Sequence, residues 1–250
     1  MKYAIITGTS RGVGEKLARQ LLQKNVTVFA ISRTKNEALE EVAKEAGSSL
    51  YSFNFDLQHV HEIEALVQDI FSIIPIESAS SVWLINNAGM LAPMKPIERS
   101  DTQEMIQNVQ VNLVAPMLFT SSFLKRTNDA HIDKRIINIS SGAGKKPYFG
   151  WGAYCTTKAG IDMFTRCVAV EEEGKDNPTK IISFAPGVVD TTMQAQIRST
   201  SKEDFIQLDR FLALKEEGQL LSPDYVAQAI TYLLETEEFE QGGIVRIDEK

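Results

Sequence analysis

The chain has 250 residues, 43% of them hydrophobic and 24% charged, with a formal net charge of −7. That is enough apolar material for a substantial core, and the acidic balance argues against a nucleic-acid binder that works by neutralising phosphates. No apolar run approaches the ~20 residues that cross a bilayer, and Cys155 and Cys167 form neither a metal-ligand pattern nor a disulfide framework. The expectation is a cytoplasmic, soluble protein with reduced cysteines, no metal site, no nucleic-acid partner and no membrane contact. The apolar run at residues 3–7 begins almost at Met1 and leads straight into a glycine loop, so no secretory leader is expected.

Along the chain, short β-branched runs alternate with longer amphipathic segments. Strands are predicted at residues 3–7, 26–31, 49–54, 82–86, 135–140, 180–185 and 244–247. Helices are predicted at 15–24, 36–46, 59–74, 102–125, 152–173 and 224–234. In the first of these Leu17 and Leu21, like Ala18 and Leu22, fall four apart, and the last opens on Ser222-Pro223. Apolar strands separated by helices mean right-handed crossovers and a parallel sheet covered on both faces. The fold class expected is α/β: one Rossmann-type, doubly wound domain over residues 1–250 with about seven parallel strands. Residues 192–221, with mixed charges and a late Gly218, read as a mobile lid over a substrate.

Ligands of such sheets bind beyond the carboxyl ends of the strands. After the first strand stand Thr7, Gly8, Ser10, Arg11, Gly12, Val13 and Gly14, and a helix follows at once. Gly8 permits a tight turn, Gly12 lets a diphosphate approach the backbone, and Gly14 lets helix and strand pack closely. The second strand ends in Ser32 and Arg33 where a reader of NAD needs a carboxylate. With Arg11 nearby, this pair suits a ribose 2′-phosphate, so NADPH/NADP+ is the cofactor expected. Asp56 closes the third strand and is placed to bond the adenine amino group. Asn86-Asn87-Ala88-Gly89 closes the fourth with a small turn that fits against a cofactor.

The fifth strand runs into Ser140-Ser141. Tyr154 follows thirteen residues after Ser141, and Lys158 four after that, on one face of a helix. A neighbouring ammonium, with an oxidised nicotinamide, is expected to lower the phenol's pKa. Tyr154 then protonates a carbonyl oxygen as hydride arrives, Ser141 holds that oxygen, and Asn112 holds a water that relays protons to Lys158.

With these residues assembled, the chain resembles the short-chain dehydrogenase/reductase family over essentially its whole length. The matching pieces are Gly8-x3-Gly12-x-Gly14, Asn86-Asn87-Ala88-Gly89, Asn112, Ser141, Tyr154-x3-Lys158 and Pro186-Gly187-Val188-Val189-Asp190-Thr191. The resemblance implies a catalytic tetrad of Asn112, Ser141, Tyr154 and Lys158. It also implies nicotinamide contacts from Lys158, Pro186, Gly187, Val189 and Thr191, and a homodimer or tetramer through the helices starting near Thr102 and Gly152.

A narrower likeness is to the sepiapterin reductase branch, which includes bacterial reductases of aromatic α-diketones such as benzil. It rests on Gly150-Trp151-Gly152-Ala153-Tyr154-Cys155, Asp162-Met163-Phe164, Asp190-Thr191-x-Met193 and Glu238-Phe239-x2-Gly242. Pterin reducers of that branch carry a C-terminal aspartate that grips the pterin. A gapless count puts Arg246 there, a donor facing donors, with Asp248 two residues on. Tyr148, Phe149, Trp151, Met193, Phe211 and Leu214 are the candidates for an apolar pocket, with Trp151 and Met193 joining Ser141 and Tyr154 against the substrate. The expected function is therefore NADPH-dependent reduction of a small-molecule carbonyl, an aromatic α-diketone of the benzil kind. A pterin reductase is the alternative. A non-catalytic NADP(H) sensor is disfavoured, since such proteins lose the tyrosine or the lysine.

Overall fold

Runs of Ile, Val, Phe and Ala a few residues long are stable only where both pleat faces find apolar cover. In the computed structural model, which describes residues 1–247, they form β1 (Lys2–Thr7), β2 (Thr27–Ser32), β3 (Leu50–Asn54), β4 (Ser81–Asn86), β5 (Asp133–Ile139), β6 (Lys180–Ala185) and β7 (Ile244–Arg246). All pair in parallel, in the order β3-β2-β1-β4-β5-β6-β7. The seven predicted strands are all present, with ends that differ by one or two residues.

Alternation assigns each strand residue to a face. Ala4, Ile6, Val28, Trp83, Ile85, Ile137 and Ile182 pack with Leu17, Leu21, Leu39, Val226 and Ile230 from α1 (Gly12–Gln23), α2 (Glu37–Ala46) and α9 (Pro223–Glu235). Ile5, Phe29, Leu84, Ile136 and Ile181 pack with Ile63, Ile70, Phe119, Phe123 and Val168 from α3 (Ile63–Ile73), α5 (Ala115–Thr127) and α6 (Gly152–Glu172). Leu17 and Leu21 are wholly buried, and each contributes roughly 1.5–3 kcal/mol. The helix ends follow from local chemistry. Ser222 Oγ accepts from Tyr225 N at 3.1 Å with Pro223 in the first turn, and Gly47, at φ +65°, ends α2 in the left-handed region.

Two segments differ from expectation, and a third shows helices that the sequence reading did not specify. The predicted helix at 59–74 begins as a 3₁₀ turn, Val60–Glu62, before α3. The one at 102–125 is α4 (Thr102–Val109), a π turn at Gln110–Val114, and then α5. Residues 192–221 contain two helices, α7 (Thr192–Arg198) and α8 (Leu208–Glu216), with Ile197, Phe205 and Phe211 buried. Periodicity resolves apolar spacing but not the one-residue insertion of a π turn, nor burial supplied by a distant partner. Because β1 pairs with both β2 and β4, the chain changes direction across the sheet at its C-terminal edge, where a crevice opens for ligands.

Candidate active site

The first half of the site is a glycine loop held from outside. Gly8 and Gly12 take φ +77° and +64°, conformations that L side chains resist. A Cβ on Gly14 would lie 2.3 Å from Gly8 O, so this position admits only glycine. The Asn87 amide donates to Thr7 O at 2.9 Å and Gly8 O at 3.2 Å, while Thr7 Oγ1 accepts from Asn87 N and Ala88 N, both at 3.0 Å. Asn87 thus clamps the loop to the end of β4. Asn36, which the sequence reading missed, holds the other side by donating to Ser10 O at 3.2 Å and Thr9 O at 3.4 Å.

Arg11 precedes α1 without a side-chain cap, leaving the first N–H groups of a twelve-residue helix without that partner. Val13 is half-buried against the core. Ser32 Oγ is turned to Thr34 O at 2.7 Å, and the Arg11 and Arg33 side chains are exposed, with neither in an ion pair among the described residues. Uncapped N–H groups and two unpaired guanidinium groups fit a dinucleotide diphosphate and further negative charge. Asp56, at the end of β3, accepts from Gln58 N at 3.0 Å through Oδ1. Thr191 faces the loop: a Cβ on Gly12 would sit 3.5 Å from its Cγ2. The segment Pro186–Thr191, held to Leu221 through Val189 and Asp190, so lies across the crevice from the glycine loop.

The second half lies on α6 and the π turn. Tyr154 and Lys158, 7% and 4% exposed, follow one another by a turn, with Lys158 Nζ 5.6 Å from the phenol ring centre. Lys158 Nζ donates to Ile139 O at 2.7 Å, which anchors it to the end of β5. Ser141 hydrogen-bonds with Tyr154 and accepts from Ala143 N at 3.1 Å. Gly89 backs onto both Asn112 and Lys158, since a Cβ there would meet Asn112 Oδ1 at 3.4 Å and Lys158 Nζ at 3.8 Å.

The Asn112 side chain also pins the loop after β4. Its amide donates to Met90 O at 2.7 Å and Asn108 Oδ1 at 3.0 Å, and its oxygen accepts from Met90 N at 2.8 Å. Asn108, a second residue missed from sequence, donates to Ala92 O at 2.7 Å and accepts from Thr157 Oγ1 at 3.2 Å. The pair lies four residues apart on the face that pins the loop after β4.

Burial governs the charges. It pushes the Tyr154 phenol up to about 12, opposed by the hydrogen bond with Ser141. It holds the Lys158 ammonium down to about 8, with the Asp162 charge acting upward. From the protein's own groups, then, the phenol is raised rather than lowered as expected, because desolvation penalises phenolate. Below about pH 8 the pair is a neutral phenol beside an ammonium, the form needed to donate a proton.

Above Tyr154 stands an aromatic cluster. The Trp151 ring lies 5.8 Å from Tyr154, edge-on, stacks on Phe205 at 4.7 Å and on Tyr148 at 4.9 Å, and meets Phe211 at 5.5 Å. Met193 packs against this cluster, whereas Phe149 is 44% exposed. Phe205, completely buried, was missed because nothing local marks it. The Trp151 indole N–H is buried and has no hydrogen-bond partner among the described residues. A Cβ on Gly150, at φ +79°, would lie 2.0 Å from Asp204 O, so this glycine lets the 192–221 segment close down. Arg99 fastens it, donating to Glu203 O at 2.9 Å and lying 3.1 Å from Asp204 Oδ1. Arg246 pairs in register with Ala185, beside Pro186; Asp248 lies outside the described residues.

Among the described residues no helix is long and apolar enough to cross a membrane. The family described as short chain dehydrogenase matches residues 2–202. A Bacillus cereus protein named benzil reductase ((S)-benzoin forming) is 60% identical over 249 residues, covering 100% of this chain and 100% of that protein. A Bos taurus sepiapterin reductase is 31% identical over 249 residues, covering 96% of this chain and 91% of its own. The crystal structure of the KRED1-Pglu enzyme superposes with a TM-score of 0.83 at 30% identity, covering 98% of this chain and 100% of that one.

Proposed function

This chain belongs to the short-chain dehydrogenase family, oxidoreductases that work with a nicotinamide cofactor, and from that premise we propose that it is an NADPH-dependent reductase of aromatic α-diketones, with benzil to (S)-benzoin as the type reaction. The observation that carries the substrate class is the cluster of Trp151, Tyr148, Phe205 and Phe211 beside Tyr154. The cluster gives Tyr154 an apolar, aromatic wall of the kind that aryl groups pack against. A diketone also has a second carbonyl, and the indole N–H of Trp151 is a buried donor without a partner.

The glycine loop and the α1 N-terminus hold the diphosphate, Arg11 and Arg33 hold the 2′-phosphate, and Ala88, Gly89 and Asp56 border the adenosine half. Lys158 holds the nicotinamide ribose, and the Pro186–Thr191 segment meets the carboxamide. When bound, the cofactor supplies hydride to the carbonyl carbon. Ser141 Oγ donates a hydrogen bond to the carbonyl oxygen, and Tyr154 delivers its phenolic proton to it. Lys158, charged beside the phenol, stabilises the phenolate left behind and returns a proton. Asn112 fixes Met90 and the π turn that wall this relay. The active protein is a homodimer or tetramer.

Steady-state oxidation of NADPH, with benzil and sepiapterin compared as kcat/KM, tests the reading. A clear preference for benzil is expected, with Arg246 in place of a pterin anchor; a preference for sepiapterin overturns the substrate class.

A further inference from the structure

On α6 Tyr154, Lys158 and Asp162 follow at four-residue intervals along one face. The first two belong to the reaction proposed above; Asp162 has no part in it. Yet Asp162 is 5% exposed, its Oδ1 is buried without a hydrogen-bond partner, and none of the ion pairs among the described residues includes it. The turn Gly142–Gly144 presses on the helix at this point. A Cβ on Gly144 would lie 2.9 Å from both Asp162 Oδ2 and Lys158 O, so glycine is required and the carboxylate is walled from water on that side.

A buried carboxylate with an unpartnered oxygen is strongly unfavourable unless a compensating charge stands near. The buried cation on the same face is Lys158, one turn back. Among the described residues its other neighbours carry no charge: Ile139 O accepts a hydrogen bond from it at 2.7 Å, and Gly89, the Asn112 amide and the neutral Tyr154 phenol surround it. The turn at 142–144 brings only glycine and alanine. From β5, the residue that follows it and β6 come Asn138, Ser140 and Ser183, all neutral and buried. Lys145 and Arg166 flank this region but are exposed. Among the described residues, Asp162 is the one charged group that acts on Lys158, and it opposes the effect of burial.

We infer that Asp162 is a positioning residue for the reduction: its negative charge holds the buried Lys158 as the ammonium and so sets the upper pH limit of turnover. The inference rests on the role given to Lys158 in the proposed function. Neutral Lys158 neither stabilises a phenolate nor returns a proton, so turnover falls as pH rises through the Lys158 titration. Removing the carboxylate leaves burial unopposed and brings that fall to lower pH.

The test is a pH titration of the cofactor-free protein carrying ¹³C at lysine Cε, followed by NMR. The Lys158 signal is the one absent from Lys158→Met. It titrates near pH 8 in the wild type, at least about one unit lower in Asp162→Asn, and close to wild type in Asp162→Glu. Asp162→Ser makes the same comparison if the Asn variant does not fold. In parallel, the alkaline limb of kcat/KM for reduction moves down by the same interval in Asp162→Asn, a loss of about tenfold on that limb. An unchanged Lys158 midpoint in Asp162→Asn overturns the inference. A shifted midpoint with an unmoved alkaline limb upholds the hold of Asp162 on Lys158 and overturns the role given to Lys158 in the reaction.

Discussion

At the scale of single residues, the candidate site divides into groups proposed to meet a ligand and groups that hold them. Tyr154→Phe removes one hydroxyl from a side chain already packed against Trp151. Turnover should therefore fall roughly a hundred- to ten-thousand-fold, the usual reach of a positioned acid, while NADPH binding followed by fluorescence stays near wild type. Retained turnover would remove Tyr154 from the chemistry. Arg33→Asp puts a carboxylate where the 2′-phosphate is proposed to lie. A charge-assisted hydrogen bond contributes about 1.5–3 kcal/mol, so affinity for NADPH should drop ten- to a hundred-fold, with NADH little affected. Equal losses for both would remove the argument for the phosphate. Gly8, Ser141, Tyr154 and Lys158 were legible because their spacing carries their meaning: a strand end, a loop, one turn of helix. Asn36, Asn108, Phe205 and Asp162 were not, because each acts on a partner that only folding brings near, such as the Ser10 carbonyl for Asn36.

At the scale of elements, the π turn and the 192–221 segment decide how the site is enclosed. The π turn carries Asn112 into the double hydrogen bond with Met90, an arrangement that an uninterrupted helix from 102 to 125 does not describe. The mixed charges and late Gly218 of the 192–221 segment predict a mobile lid. The segment contains α7 and α8, and Phe205 between them stacks face to face on Trp151 with an interplanar angle of 3°. Phe205→Ala opens a cavity in this stack, and denaturant unfolding should show a loss of about 3–5 kcal/mol. The chain has two tryptophans, and Trp83 lies in a distant part of the core. A red shift of tryptophan emission in Phe205→Ala therefore reports exposure of Trp151. Unchanged emission and stability would mean that the stack contributes nothing to closure.

At the scale of the whole molecule, α4 and α6 pack against one another and show apolar side chains to solvent. Ile106 and Val109 are 46% and 39% exposed, and Met163 and Val170 55% and 64%. Surfaces of this kind favour self-association. Sedimentation should give two or four times the monomer mass, and the double change Met163→Asp with Val170→Asp should give the monomer. A wild-type monomer would overturn the proposed oligomer. The succession of strands and helices, the doubly wound class and the ends of the sheet that bear the site could all be read from the sequence. Alternation, helical spacing and glycine turns are properties of residues a few positions apart. The tertiary structure alone decided which charges are buried, which aromatic rings enclose Tyr154 and which polar groups pin the loops. Desolvation, stacking and hydrogen bonding act across space. Phe205 reaches Trp151, Arg99 reaches Asp204, and Asn36 reaches Ser10 only once the sheet has brought the strand ends together.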